Sequence, residues 1–161
     1  MTLVLEERTL RAIDALYFDY ATAIDEEIAR WPDFFTADAT YRVTSRENYD
    51  RGLPLAQILC TSHGMIRDRA MAVESTTVYA ERFMRHAITN IRVTGEGGGE
   101  GDIRARANFA IYETGEDTVS RLFAVGRSID TIAREADGLK FRHKLCVLDS
   151  NVVIGSLIYP V

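Results

Sequence analysis

The stretch IRARANFAIYETGEDTVSRLFAVGRSIDTI, residues 103–132, indicates the fold class of this protein. Residues 103–112 alternate between apolar side chains and arginine, asparagine or tyrosine, as in a strand that buries one face. Residues 114–117 predict a hairpin turn, and residues 119–132 predict a long returning strand. Gly126 within that second strand predicts a bulge or a sharp bend.

The strand pattern continues on both sides of this hairpin. Residues 136–138 predict another turn, and residues 139–149 predict the next strand. Before the hairpin, Ile91 and Val93 alternate with polar residues up to a glycine-rich turn, residues 95–101. That turn lacks a following Lys-Ser/Thr pair and precedes a strand instead of a helix. It is therefore not a phosphate-binding loop.

The first half of the chain begins as a helix. Its apolar residues recur at steps of three and four, which places them in one stripe: Leu10, Ile13, Tyr17, Tyr20, Ile24 and Ile28. Residues 40–45 predict a first strand, and residues 65–75 predict a second helix. Residues 53–61 are compatible with either a strand or a buried helix, and residues 76–85 indicate an irregular crossing.

Helices that come first and antiparallel strands that come last indicate an α+β domain with a curved sheet wrapped around the helices. The chain has 161 residues, 47% of them hydrophobic and 27% charged, which predicts one domain over residues 1–161. The net charge of -5 and pI near 5.2 argue against a nucleic-acid surface and against an anionic membrane surface.

No membrane span and no signal peptide is predicted, and we therefore expect a cytoplasmic protein. The apolar runs are far shorter than the roughly 20 residues that span a bilayer. Residues 1–8 carry two glutamates and no basic start followed by an apolar core, so a signal peptide is not predicted. In a cytoplasmic protein we expect Cys60 and Cys146 to be buried free thiols and not a disulfide.

Catalytic, metal and cofactor motifs are not found in the sequence. The histidines His63, His86 and His143 form no spaced ligand pair, and no Cys-x-x-Cys or His-Glu-x-x-His occurs. By period-two counting, His143 shares a strand face with Asp149, and the two would form an acid–base pair if that face lined a pocket. The favoured alternative is a hydrogen-bonded core histidine, with Asp149 holding a turn at the strand end.

Two charged groups are candidates for a subunit interface. Arg85 and His86 open a strand and would anchor a partner chain, or else act as solvated or capping side chains. Arg67 and Arg69 belong either to an interface network or to a charged helix start.

The last residues, 152–161, are unusually apolar for the end of a chain. A free tail of this composition would expose a large apolar surface. We therefore predict that it completes the sheet or packs against another subunit, with Leu157, Ile158 and Tyr159 at the interface.

Four segments resemble one known family in order along nearly the whole chain. They are WPDFFTADATYRVT (31–44), FMRHAITNIRVT (83–94), FAVGRSIDTI (123–132) and KLCVLDSNVVIGSLIYPV (144–161). Together they resemble the small (β) subunits of Rieske-type aromatic-ring-hydroxylating oxygenases. The first of these segments, followed by ENYDRGL (47–53) and GMIRDR (64–69), resembles most the branch of salicylate 5-hydroxylase, terephthalate dioxygenase and anthranilate dioxygenase.

The resemblance implies a cone-shaped α+β barrel like those of nuclear transport factor 2 and ketosteroid isomerase. It implies a non-catalytic chain without metal or cofactor that supports three large and three small subunits. The large subunit would hold a Rieske 2Fe–2S cluster and a mononuclear Fe(II), and would receive electrons from NAD(P)H through a reductase, with or without a ferredoxin. The implied substrate is a carboxylated aromatic such as salicylate.

Two other functions remain open from the residues alone. One is a stand-alone isomerase or dehydratase of the same cone fold, with His143, Asp149 or another inner-face carboxylate as its base. The other is a dimeric protein that binds a small molecule without chemistry.

Overall fold

Six strands form one sheet in the computed structural model, which describes residues 5–75, 81–99, 101–153 and 155–161. In chain order the elements are helix α1 (Glu7–Glu26), a 3-10 helix (Ile28–Phe34), strand β1 (Phe35–Ser45), helix α2 (Arg46–Asp50), strand β2 (Ile58–Cys60), helix α3 (His63–Ser75), and strands β3 (Arg82–Glu96), β4 (Ile103–Gly115), β5 (Arg121–Glu135) and β6 (Gly138–Leu148).

The strand order in the sheet is β2-β1-β6-β5-β4-β3. Strands β3 to β6 form an antiparallel meander, while β1 lies parallel to β6 and antiparallel to β2. The predicted α+β class, with a curved mixed sheet and helices at the N-terminus, is confirmed. Because β1 inserts beside the last strand, both halves of the chain contribute to one core.

Helix α1 supplies the apolar stripe that the sequence predicts. Its buried residues recur from Ile13 to Ile24, whereas Leu10 is 43% exposed. The helix ends at Glu26, because the backbone of Glu27 leaves the helical conformation (φ −151°, ψ 63°) and the chain then enters the 3-10 helix. The buried stripe packs against the inner face of the sheet and forms one wall of the core.

Aromatic rings fill the centre of this core at edge-to-face angles. The ring centroids of Trp31 and Tyr41 are 5.1 Å apart, and those of Tyr20 and Phe141 are 5.4 Å apart. Phe35 contacts all four of these rings. Such pairs add roughly 0.5–1.5 kcal/mol each to the burial of the rings. They connect α1, the 3-10 helix, β1 and β6.

Several predicted boundaries shift in the structure. Strand β1 begins at Phe35, five residues before the predicted start, and the ambiguous residues 53–61 contain the short strand β2. Strand β4 runs on to Gly115, so the hairpin turn lies later than predicted. Of the predicted irregular crossing, residues 76–80 lie outside the described residues, and Arg82 to Arg85 belong to β3.

The bulge predicted at Gly126 is found elsewhere. Gly126 pairs in regular register with Phe109 on β4 and Leu148 on β6. The extra residues are Phe123 on β5 and Arg142 on β6. A glycine is needed at position 126 because a Cβ there would lie 2.2 Å from the carbonyl oxygen of Val147 and 2.7 Å from Cζ of Phe109.

Replacing Gly126 with alanine is therefore expected to destabilise the domain by about 3 kcal/mol, because the backbone of β6 has to move to admit the methyl group. The measurement is the urea midpoint of the purified chain. Gly98→Ala is the matched control, since no heavy atom lies within 4 Å of a Cβ at that position. Equal midpoints for the two variants would show that the backbone of β6 moves aside without loss of stability, which would contradict the prediction.

Candidate functional site

A buried polar cluster lies at the centre of the inner face of the sheet. Asp130 on β5 accepts three hydrogen bonds at one oxygen, Oδ2. The donors are the hydroxyl of Tyr17 at 2.6 Å, the hydroxyl of Ser128 at 2.7 Å and the ammonium of Lys144 at 3.2 Å. The cluster therefore joins α1, β5 and β6 through one carboxylate.

Lys144 has its charge surrounded by rings as well as by this carboxylate. Its ammonium lies 4.3 Å from the ring centroid of Phe141, 4.6 Å from that of Tyr20 and 4.9 Å from that of Tyr17. The faces of these rings attract a cation, which offsets part of the cost of removing the ammonium from water. Only 3% of the Lys144 side chain is exposed, and none of the Asp130 side chain is.

Burial decides the protonation of the neighbouring groups. Desolvation, and after it the charge of Asp130, raise the pKa of Tyr17 well above its usual value, so the hydroxyl stays a hydrogen donor. The second carboxylate oxygen, Oδ1 of Asp130, has no hydrogen-bond partner among the described residues. All three donors meet Asp130 at one oxygen, so the cluster fixes this carboxylate between α1, β5 and β6.

The tail returns over this interior and closes it. The backbone N–H of Val161 donates to the hydroxyl of Tyr41 at 2.7 Å, and the hydroxyl of Tyr20 donates to the oxygen of Val161 at 2.6 Å. Val161 is 3% exposed. Since the ring of Tyr20 also lies against Lys144, the end of the tail and the buried ion pair contact the same side chain.

Three cationic or imidazole side chains fasten the rest of the tail. Arg69 donates to the carbonyls of Leu157 and Ile158, and Arg82 donates to the carbonyl of Ser156. Nε2 of His86 lies 3.2 Å from the carbonyl of Pro160. The prediction that the tail completes the sheet or packs on another subunit is therefore wrong for its last residues, because they pack into the core of this chain.

His86 also holds the end of α1. Its Nδ1 lies 2.6 Å from Oδ1 of Asp25, and its backbone N–H donates to Oδ2 of the same carboxylate at 2.9 Å. The Asp25 carboxylate and the Pro160 carbonyl lie at the two nitrogens of one ring, so His86 connects the end of α1 to the tail. The His86 side chain has no exposed surface and is an internal anchor.

The predicted acid–base pair of His143 and Asp149 is not formed. His143 is exposed on the outer face, 2.9 Å from the hydroxyl of Thr40, and Asp149 is exposed after the end of β6. The counting failed because the extra residue Arg142 shifts the strand by one position. Lys144, Cys146 and Leu148 face inward beyond that bulge, so the core histidine favoured as the alternative is wrong as well.

Ion pairs hold the bulge in place. The guanidinium of Arg142 lies 2.9 Å from a carboxylate oxygen of Asp102 and 2.6 Å from one of Asp38. The hydrogen bond that Arg142 donates to Asp102 raises the pKa of Arg142 against the opposing effect of desolvation. A single-residue insertion that depends on partners 40 and 104 positions away is invisible to period counting along one strand.

The remaining predicted interface residues divide by exposure. Arg67 is exposed, and so is Arg85, whose guanidinium lies 3.3 Å from Glu26. Leu157, Ile158 and Tyr159 are half-buried, and Leu157 and Tyr159 pack against the core. No structural observation tests whether these residues contact a partner, and that assignment stays a prediction.

Sequence reasoning missed the cluster of Asp130, Lys144 and Tyr17. One signal was available, since Ser128 and Asp130 fall at the same strand parity as the buried Ile132.

Among the described residues, no group of three or more His, Cys, Asp or Glu side chains is placed to hold a metal ion. No helix in the described part of the chain is long and apolar enough to cross a membrane.

Comparison with known proteins agrees with this architecture. A family model described as the ring hydroxylating beta subunit matches residues 21–154. The anthranilate 1,2-dioxygenase small subunit of Burkholderia cepacia is 31% identical over 85% of this chain and 84% of its own length. A terephthalate 1,2-dioxygenase beta subunit of a Comamonas species is 27% identical over 88% of this chain and 91% of its own. The chain therefore belongs to the family of ring-hydroxylating beta subunits.

A solved structure supports the same assignment. It is described as the beta subunit of an aromatic-ring-hydroxylating dioxygenase from Novosphingobium aromaticivorans, and it is 29% identical to this chain. The TM-score is 0.84, and the match covers 96% of this chain and 98% of that one. The resemblance and the fold predicted from it are confirmed.

Lys144→Met is expected to lower the free energy of unfolding by about 3 kcal/mol, because it leaves Asp130 charged and unpaired in the core. Adding Asp130→Asn should recover part of the loss, since the double variant buries no charge. Urea unfolding at neutral pH measures both. Lys140→Met is the control, because Lys140 pairs with the exposed Asp137 and should matter by less than about 1 kcal/mol. A Lys144→Met variant as stable as the control would contradict this account.

Both thiols are expected to resist modification in the folded protein. Cys60 and Cys146 are free and buried, as predicted from the sequence. Burial raises the pKa of Cys146 to about 12 and also raises that of Cys60, so neither is a thiolate near neutral pH. Reaction with a chromogenic disulfide reagent at pH 7.5 should be at least about 100-fold slower than after unfolding in urea. Fast labelling of the native chain would show that the thiols are accessible, and would refute the claim that the interior is closed to the reagent.

Proposed function

We propose that this chain is the non-catalytic small subunit of an aromatic-ring-hydroxylating oxygenase. Its task would be to stabilise the assembly with a larger, iron-bearing subunit. The observation that carries the proposal is the filled interior. In this family member, the space that a cone-shaped enzyme would use for its substrate holds the chain's own Val161, above the buried pair of Asp130 and Lys144.

The partner would supply the reactive metal groups. From the resemblance we propose a large subunit with a Rieske 2Fe–2S cluster and a mononuclear Fe(II), and an assembly of three large and three small chains. Electrons would come from NAD(P)H through a reductase, with or without a ferredoxin, and the complex would be cytoplasmic. The residues of this chain would bind and orient the partner and take no part in the transfer of electrons.

The substrate would be an aromatic ring that carries a carboxylate. The names of the two relatives refer to anthranilate and terephthalate, and both compounds are aromatic carboxylates. The resemblance to the salicylate 5-hydroxylase branch favours salicylate within that class. Because the large subunit would hold the substrate pocket, no residue of this chain is assigned to substrate recognition.

The interface proposed from the sequence needs one adjustment. Arg67 and Arg85 are exposed and are proposed to contact the partner directly. Arg69, Leu157, Ile158 and Tyr159 are half-buried and would present the tail to it. His86 would act from behind the surface, since it holds the tail through Pro160.

The alternative is a stand-alone isomerase or dehydratase with a base inside the cone. His143 and Asp149 cannot serve, because both lie outside the interior. Asp130 is the inward carboxylate that this alternative would need, and it would require displacement of the tail before a substrate reached it. A test of the proposal therefore has to include the Asp130 cluster.

The test is to co-express the tagged chain with the large subunit and measure iron, subunit ratio and turnover. We expect a brown complex with a larger iron-bearing chain. In that complex, the double variant Lys144→Met/Asp130→Asn should keep turnover per iron within about twofold of wild type, because the cluster touches no reacting atom. A loss of about a hundredfold with assembly intact would assign catalysis to this chain, and a colourless, iron-free oligomer would overturn the proposed function.

A further inference from the structure

The outer face of strands β3 to β5 is uncovered in the described chain. Three of its large apolar side chains are strongly exposed: Phe83 at 57%, Leu122 at 48% and Tyr112 at 45%. Tyr112 on β4 is in register with Leu122 on β5 and with Arg85 on β3. Exposed apolar side chains grouped on one sheet face mark an interaction surface more often than scattered ones do.

The same face carries arginines towards its other end. Arg92 on β3 lies directly opposite Arg106 on β4, and Arg104 is the next outward residue on β4. All three are exposed, and none forms an ion pair with a described carboxylate. Like charges directly opposite each other destabilise a sheet. The repulsion between Arg92 and Arg106 therefore destabilises the isolated chain, and a partner of opposite charge would remove this destabilisation.

Carboxylates are excluded from the middle of this face. Strand β6 contains none, and the glutamates Glu96 and Glu135 lie at strand ends. Glu113 is buried between Arg82 and Arg121, and Asp130 faces inward. The whole chain nevertheless has a net charge of -5. Among the described residues, the arginines are thus separated from the acidic groups, and no carboxylate of that part of the chain forms an ion pair with them.

The apolar and basic parts form one continuous surface. Along β4 the outward residues run Arg104, Arg106, Asn108, Ala110 and Tyr112, which spans roughly 27 Å at about 3.4 Å per residue. Exposed aromatic side chains and arginines are the residue types that protein–protein interfaces contain in excess, and this face carries both. The size and chemistry of this face fit another protein better than a small molecule.

A second copy of this chain packed face to face would not neutralise the arginines. In a two-fold contact the same patch is used on both sides, so each arginine would meet an arginine or an apolar side chain. A partner must therefore bring carboxylates, set about 20 Å from its own apolar contacts. A chain with the family membership of this one has a larger subunit available for that role.

We propose that the outer face of β3 to β5 is the docking surface for an acidic, apolar-flanked segment of the large oxygenase subunit, with Arg92 and Arg106 as its charged anchors. This inference rests on the proposed function and adds to it the surface and the chemistry of the partner. The Arg92–Arg106 pair makes the contact specific, because it is favourable only when carboxylates face it.

The experiment compares charge-reversal variants in complexes with the tagged large subunit. Arg92→Glu/Arg106→Glu should weaken binding by about a hundredfold or more, and wild-type binding should weaken as salt rises from about 0.05 to about 0.5 M. Arg8→Glu/Arg30→Glu is the matched control, since it changes the net charge equally at exposed arginines away from this face. Circular dichroism and the unfolding midpoint of each free variant report whether it folds.

Each outcome decides between explanations. Loss of binding by the folded Arg92/Arg106 variant, with the control unaffected, supports the proposal. Equal binding by both variants overturns it while leaving the proposed function intact. If the Arg92/Arg106 variant binds the large subunit normally but no longer self-associates in the ultracentrifuge, the face is assigned to a second copy of this chain instead. Failure of wild type to bind any large chain would overturn the proposed function itself.

If the reversal variant does not fold, the neutral variant Arg92→Gln/Arg106→Gln must still reduce the salt dependence of binding. An unchanged salt dependence would refute the role of Arg92 and Arg106 as charged anchors.

Discussion

The buried contact between Asp130 and Lys144 is the constraint on which the rest of the interior depends. Neither side chain reaches water, so each is tolerable only while the other is present. Tyr17 brings α1 to the same carboxylate, and the rings of Tyr20 and Phe141 surround the ammonium. The helix and two strands are therefore placed relative to each other by one charge pair.

The tail depends on the same centre. Tyr20 contacts Lys144 with its ring and Val161 with its hydroxyl, so the last residue is held at the top of the polar cluster. His86, Arg69 and Arg82 then fix the residues before it through their carbonyls. In this chain, the polar groups of the interior hold the chain's own tail in place. A rigid cone offers its partners an unchanging outer surface, which suits a subunit whose role is assembly.

The inner and outer faces of the sheet thus serve different ends. Inside, each charge has a partner within the chain, as for Glu113 between Arg82 and Arg121. Outside, Arg92 and Arg106 oppose each other with no carboxylate between them. The side chains of β4 alternate between the two faces of the sheet. One half of them builds the core, and the other half, which includes the arginines, lies on the outer face. Changes to the outer set can therefore alter partner choice without disturbing the core.

Local patterning was sufficient for the elements and the class of fold. The apolar stripe of α1, the alternation of residues 103–112 and the order of helices before strands are all properties of neighbours in sequence, and the structure bears them out. The family segments along the chain added the cone shape. The bulge at Arg142 could not be predicted, because it is stabilised by Asp38 and Asp102 from distant parts of the chain, and it reverses the orientation expected for His143. The sequence by itself therefore determined which segments are helix and strand and which family they belong to. Only the tertiary structure decided which side chains face inward and where the tail lies, because those depend on contacts between residues more than a hundred positions apart.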